Sequence, residues 1–221
     1  SSGDVSGSSL DASIASLAPP LRISLAAVSA ARQRLPRDEV AAVVDADTLR
    51  ELGRRFLLDA SREHLIVHDL IRDAVHRIAS RHELAAAHRW LVELYSARGG
   101  SRGPRPLDTV EIIHHLTASG DVNDAWDACQ GAYRALSAAG VDHLLIDDLR
   151  KLASALPGAR ADINLLLARI LVRRSNIAEA AELLTSMEPS AGGKMRWLLL
   201  QGEVAQRRGR LMSAEKWFAE A

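Results

Sequence analysis

Residues 164–187, NLLLARILVRRSNIAEAAELLTSM, return in outline as residues 198–221, LLLQGEVAQRRGRLMSAEKWFAEA, at an offset of 34. Ala168 answers to Gly202, Ile170 to Val204, Leu171 to Ala205, Ile177 to Leu211, Ala180 to Ala214, Leu184 to Phe218 and Met187 to Ala221. Even the polar pair Arg173-Arg174 recurs, as Arg207-Arg208. Self-similarity at this period marks a helix–turn–helix repeat whose units bury their apolar faces by stacking on neighbours. Small residues fall where two helix backbones must approach, and larger ones fill the space between. A stack that stops inside its last repeat lacks a capping helix. The expectation is therefore a repeat array truncated at its C-terminus, in a fragment of a larger protein.

Composition sets the outer bounds. The 221 residues suffice for one large domain or two small ones, and 48% hydrophobic content supports a packed core. Formal net charge is zero, so no global field favours nucleic acid or an anionic membrane. The single cysteine, Cys129, excludes an intrachain disulfide and a cysteine-rich metal site. No apolar run reaches the ~18 residues of a spanning helix, and no signal peptide is visible. A cytoplasmic protein with no membrane partner is the expectation.

Upstream of the repeats the pattern is different. Residues 1–16 begin with a Ser/Gly-rich stretch too polar to order itself and read as a flexible leader. Pro19-Pro20 opens a helix to about Arg34, with Ile23, Leu25, Ala26 and Val28 inward. Pro36 fits the first turn of the next helix, which carries Val40, Val43 and Val44. Asp47 is placed to cap a third, with Leu49, Leu52 and Phe56 at helical spacing. Phe56-Leu57-Leu58 and Leu65-Ile66-Val67 then flank the polar turn Asp59–Glu63, which reads as a β-hairpin. A helix from Leu70 to about Ser80 closes the region. Three helices, a hairpin and a closing helix over 17–82 make a winged-helix-like domain, with the hairpin as wing. Residues 83–107 read as a connecting helix and a Gly/Pro/Arg-rich linker, and 108–221 as TPR-like repeats. The fold class is mostly α: a winged helix followed by a right-handed α-superhelix.

The segment Ile66-Val67-His68-Asp69-Leu70-Ile71-Arg72-Asp73-Ala74-Val75, at the strand-to-helix junction, resembles the "MHD" signature of STAND-class signalling NTPases. The bacterial maltose-regulator-like and NLR-like members place a winged helix after an ATPase core and often a helical-repeat superhelix after that. Val67 replaces the usual Met, while His68 and Asp69 match. Leu17-Ala18-Pro19-Pro20-Leu21-Arg22 resembles the family's entry to the winged helix, and Ile112–Leu116 with Ala118–Asp121 resembles its first repeat-like turn. The resemblance covers most of 17–221 and implies that His68 senses the β-phosphate of ADP in a closed, inactive state. Asp69 would then cap the helix through N–H groups near Arg72 and aim His68. It also implies ATP or ADP with magnesium in the parent protein, an upstream NTPase domain as partner, an inducer, peptide or protein on the repeat surface, and oligomerisation of the parent on activation.

No phosphate loop G-x-x-x-x-G-K-[ST] is present, so neither catalysis nor a cofactor is expected of this chain alone. Gly192-Gly193-Lys194-Met195 lacks the earlier glycine and the hydroxyl, and reads as a loop between repeats. His82, His88, His114 and His115 lack zinc-site spacing on a helix, and Cys129 reads as core. Arg50, Arg54, Arg55 and Arg62 fall on the third helix and wing, where DNA readers place phosphate contacts. Interleaved Asp45, Asp47, Glu51, Asp59 and Glu63 favour a solvated or interdomain face over DNA. Two alternatives to a STAND-type regulatory fragment stand beside it: a winged-helix DNA-binding regulator with sensor repeats, and a TPR scaffold that grips a peptide. Trp90, Trp126, Trp197 and Trp217 read as packing residues within either.

Overall fold

The computed structural model describes residues 4–41, 44–59, 63–190 and 192–221, and is mostly helical with one two-stranded sheet. Two compact units divide the chain, 1–121 and 122–221. The first unit therefore runs further than the 17–82 domain read from the sequence. It takes in the connecting helix and also the helix that had been assigned to the first repeat.

The first unit opens with α1 (Asp4–Ala15), where a flexible leader was expected. Leu10, Ile14 and Leu17 recur at helical spacing and pack on the unit's core, which outweighs the polar composition around them. Arg77 of α5 (Asp69–Ile78) also pairs with Asp11 of α1 at 2.8 Å. Next, α2 (Pro19–Ala30) starts on its two prolines and buries Leu25, Ala26, Ala27 and Val28. The Arg22 guanidinium accounts for the end of α1, donating to the carbonyl oxygens of Ala15 and Leu17 at 3.0 and 2.7 Å. It also pairs with Glu83 at 2.7 Å.

Strand β1 (Leu35–Pro36) precedes α3 (Arg37–Ala41) and α4 (Ala46–Arg54). Pro36 thus ends a strand instead of opening a helix, paired with His64 in the antiparallel partner β2 (His64–Leu65). The cap of α4 is Asp45, not Asp47: its carboxylate accepts from the Thr48 backbone N–H at 2.8 Å and the Thr48 hydroxyl at 2.7 Å. Asp47 is the second residue of the first turn and pairs with Arg50. The expected hairpin is narrower than its apolar runs. Asp59 faces Ile66 in a single antiparallel bridge, while Leu57 and Leu58 turn into the core. Phe56, expected inward, is 90% exposed and left-handed at φ 58°. It occupies the position after the helix end where the Leu57 N–H returns to the Leu52 carbonyl at 3.1 Å, a turn that usually takes glycine.

After α5 come α6 (Arg81–Ala97) and α7 (Pro106–Ser119). A capping box starts α6. Glu83 Oε2 accepts from the Ser80 backbone N–H at 2.9 Å, and the Glu83 N–H donates to Ser80 Oγ at 3.2 Å. Ala87, Leu91, Leu94 and Tyr95 carry α6 into the core. Arg98, nearly buried, ties three elements: its Nε reaches Glu39 of α3 at 2.6 Å, its Nη1 reaches Asp108 of α7 at 3.2 Å, and its guanidinium lies 4.5 Å over the Tyr95 ring. Gly120 at φ 91° ends α7, and the Asp121 N–H bonds the Leu116 carbonyl at 3.0 Å.

The second unit comprises α8 (Val122–Ala138), a 3-10 turn and α9 (Ile146–Ala155), then two helical hairpins. The first hairpin is α10 (Arg160–Arg173) with α11 (Ile177–Thr185), and the second is α12 (Lys194–Arg207) with α13 (Leu211–Glu220). Each helix of the second begins 34 residues after its counterpart, Arg160 against Lys194 and Ile177 against Leu211. Their turns are superimposable in bonding. Asn176 and Arg210 both donate to the carbonyl five residues back at 2.9 Å, and Ser175 (φ 62°) stands where Gly209 (φ 73°) stands.

Candidate functional site

Val67, His68 and Asp69 sit where β2 gives way to α5. Val67 is buried and His68 exposed, so the apolar residue anchors the junction and the imidazole faces out. His68 is the residue that caps α5, with its carbonyl accepting from Ile71 and Arg72 N–H at 2.9 and 3.0 Å. Among the described residues its side chain makes no capping bond to the first α5 amides. Asp69 is not the cap expected of it. It is the first helical residue, and its exposed carboxylate meets Arg72 at 3.4 Å. The N–H groups of this helix start and the neighbouring imidazole can donate to an anion, with the Asp69 carboxylate drawn to Arg72 at the same end.

The arginines of the α4 face are held by acids of the same helix. Asp47 takes Arg50, while Glu51 takes Arg54 at 2.6 Å and Arg55 at 2.7 Å. The hydrogen bond from Arg55 is the main cause that holds the Glu51 carboxyl below the usual range. Such i,i+3 and i,i+4 pairs leave little net positive field for a phosphate backbone. Arg62 lies outside the described residues.

In the second unit, α8, α10 and α12 line a groove of about 620 Å³. Trp126, Gln130 and Tyr133 come from α8, with Asp162, Leu165, Leu166, Arg169 and Arg173 from α10 and Arg196, Leu199, Leu200 and Glu203 from α12. The 34-residue register sets the α10 and α12 contributions side by side and reverses their charges. Asp162 answers to Arg196 and Arg169 to Glu203. Leu165 is 4% exposed, but its counterpart Leu199 keeps 46% and presents an apolar face to the groove. Arg169 lies 5.5 Å over the Tyr133 ring, and Arg173 bonds Asp142 at 3.0 Å. An apolar floor with both signs of charge on its walls suits a peptide-like ligand.

A third cluster escaped the sequence reading. His88 of α6 and His115 of α7 bring their Nδ1 atoms to 3.0 Å, with the His114 ring 5.1 Å from that of His115. These residues are 27 apart in sequence, and only the pairing of α6 with α7 joins them. Among the described residues no group of three His, Cys, Asp or Glu side chains is placed to hold a metal ion.

The remaining motifs have structural explanations. Gly193 is buried, and a Cβ there would meet Leu165 Cδ1 at 2.8 Å and Ser190 Oγ at 2.9 Å, two side-chain ends that would have to shift, so the glycine is explained by packing between repeats. Cys129 is wholly buried, and burial with the nearby Asp148 pushes its thiol up to about 12, far from a neutral-pH nucleophile. Trp197 meets Trp217 edge to face at 5.4 Å and donates Nε1–H to the Leu184 carbonyl at 3.0 Å. The chain matches no protein-family model, no curated protein and no solved structure.

Proposed function

We propose that this chain is the regulatory and sensing part of a STAND-type ATPase or ATP-dependent transcriptional regulator of the cytoplasm. A winged helix couples nucleotide state to a TPR-like superhelix, which binds an inducer, peptide or protein. The observation that carries the reading is the junction Val67-His68-Asp69: an anchored strand end, an outward imidazole and a helix start that the side chain of its own cap residue does not close. An imidazole N–H there can donate to a phosphate oxygen, and the helix N-terminus favours the anion. The nucleotide itself, with its magnesium, is held by a phosphate loop on an upstream NTPase domain. His68 adds one contact, which reports ADP and helps retain it.

Further support comes from the element order. Helix α2, strand β1, helices α3 and α4 and then the Asp59–Ile66 bridge follow one another as in a winged helix. The 34-residue hairpins support the TPR-like reading, and the groove between their first helices is the ligand surface. The paired arginines of α4 argue for an interdomain face and against DNA. The chain's own work is binding and switching, and ATP hydrolysis belongs to the upstream domain.

The test is ADP retention by the full-length protein. A hydrogen bond to a charged phosphate contributes ~1.5–3 kcal/mol, so His68→Ala is expected to speed ADP release by about tenfold or more. His68→Gln keeps a donor and should fall between. Unchanged release in His68→Ala removes the sensor role and leaves the peptide-binding scaffold, which the groove alone favours.

A further inference from the structure

We propose that the histidine cluster between α6 and α7 is an acid-sensitive latch: it holds the helices together while His88 and His115 share one proton across their Nδ1 atoms, and lets them part when each ring carries its own. Two Nδ1 atoms at 3.0 Å require one donor and one acceptor. A second proton makes two donors face each other at that distance, and the bond is lost. His115 has no exposed surface, so its charge cannot be relieved by water while the helices stay packed.

The surroundings set the sign. On α7, Glu111 Oε2 stands 3.8 Å from His115 Nε2, and neither atom has a hydrogen-bond partner among the described residues. The His114 ring lies beside them on the same helix. From α6, the Tyr95 ring stacks on His115 at 5.7 Å, with its hydroxyl buried and without a partner among the described residues, and the Arg98 guanidinium lies over the Tyr95 ring. Asp108 of α7 is already committed to Arg98 and Arg105. After α2, Arg32 approaches Glu111 Oε1 at 3.6 Å. Among the described residues the Glu111 carboxylate favours an imidazolium, and Arg32 already draws on its charge. Burial first, then His114, His88 and Arg32, bring His115 down from 6.5 to about 2.

A base that resists protonation when folded takes the proton when the helices separate. The contribution is therefore complete above an imidazole's ordinary 6.5 and is lost as pH falls from there towards about 2. Each such proton shifts the opening equilibrium by up to about tenfold per pH unit. His143 is the one histidine of residues 122–221, so the response belongs to the first unit.

Two measurements on the full chain test the latch. Between about pH 7.5 and about pH 5, where imidazoles titrate, the His115 ring nitrogens should keep their neutral NMR signature. Over the same range, hydrogen exchange corrected for its intrinsic pH dependence should show α6 and α7 losing up to about tenfold in protection per pH unit below about 6.5. Amides of α10 and α12 should not follow. His88→Gln keeps a donor and acceptor at that position without a titrating ring, and should lessen the response, leaving the part set by the burial of His115. His115 titrating as an ordinary imidazole overturns the proposal, as does equal loss of protection in the two helix pairs or an unchanged response in His88→Gln.

Discussion

Leu184 and Phe218 hold the same place in two hairpins of one register, yet Leu184 has no exposed surface and Phe218 keeps 42% of its own. The difference lies in the neighbours. Helix α11 packs against both α10 and α12, and Trp197 and Gln201 of α12 donate to the Leu184 carbonyl at 3.0 and 3.4 Å. Phe218 packs back on α12. Its larger ring fills space that a Cβ at position 202 would otherwise occupy, so Ala168 with Leu184 becomes Gly202 with Phe218. Two sequences with a common register thus reach one geometry through different partitions of volume, and the depth of burial is set by the next hairpin in the stack.

The largest expected effect is at Leu184. Removing a fully buried leucine costs ~2–5 kcal/mol, and Leu184→Ala should fall in that range by urea unfolding. Phe218→Ala should cost less, because part of the ring already meets solvent. Equal costs would mean that stacking depth does not set stability here. Gly202→Ala comes next: its Cβ would overlap the Phe218 ring, and overpacking of this kind costs ~1–3 kcal/mol. Adding Phe218→Leu should recover most of the loss by copying the first hairpin's Ala168–Leu184 solution. A double variant no better than the single would break the comparison. The smallest effect is at the turns. A non-glycine residue in the left-handed region costs ~1–2 kcal/mol, part of which Ser175→Gly regains, so that variant should gain ~1 kcal/mol in thermal unfolding. Phe56→Gly, in the equivalent conformation after α4, should gain a similar amount.

The 34-residue register is carried by residues whose spacing depends only on the helix and its turn, so it could be read directly from Ala168/Gly202 and Ile177/Leu211. The α4 cap was missed because Asp45 and Asp47 are both capping residues, and only the Thr48 N–H decides between them. Strand β1 is two residues long and has no alternation to detect, which hid the partner of β2. The leader's order lay in three apolar residues, Leu10, Ile14 and Leu17, diluted by serine and glycine around them. Of the candidate sites, His68 was legible as a junction residue, whereas its capping position was exchanged with that of Asp69. The groove was half legible, since charge reversal at Asp162/Arg196 and Arg169/Glu203 is visible in the register, but the inward face of α8 is not. His88 and His115 meet only through tertiary pairing, for which one sequence carries no signal.

The most direct measurement for the regulatory reading is the complete coding sequence on both sides of residues 1–221. The account predicts, upstream of Leu17, an NTPase domain with a G-x-x-x-x-G-K-[ST] phosphate loop, the partner that makes His68 a sensor. A reading frame that opens close to residue 1 with no such loop would contradict it, and leave the groove of the second unit as the chain's functional surface.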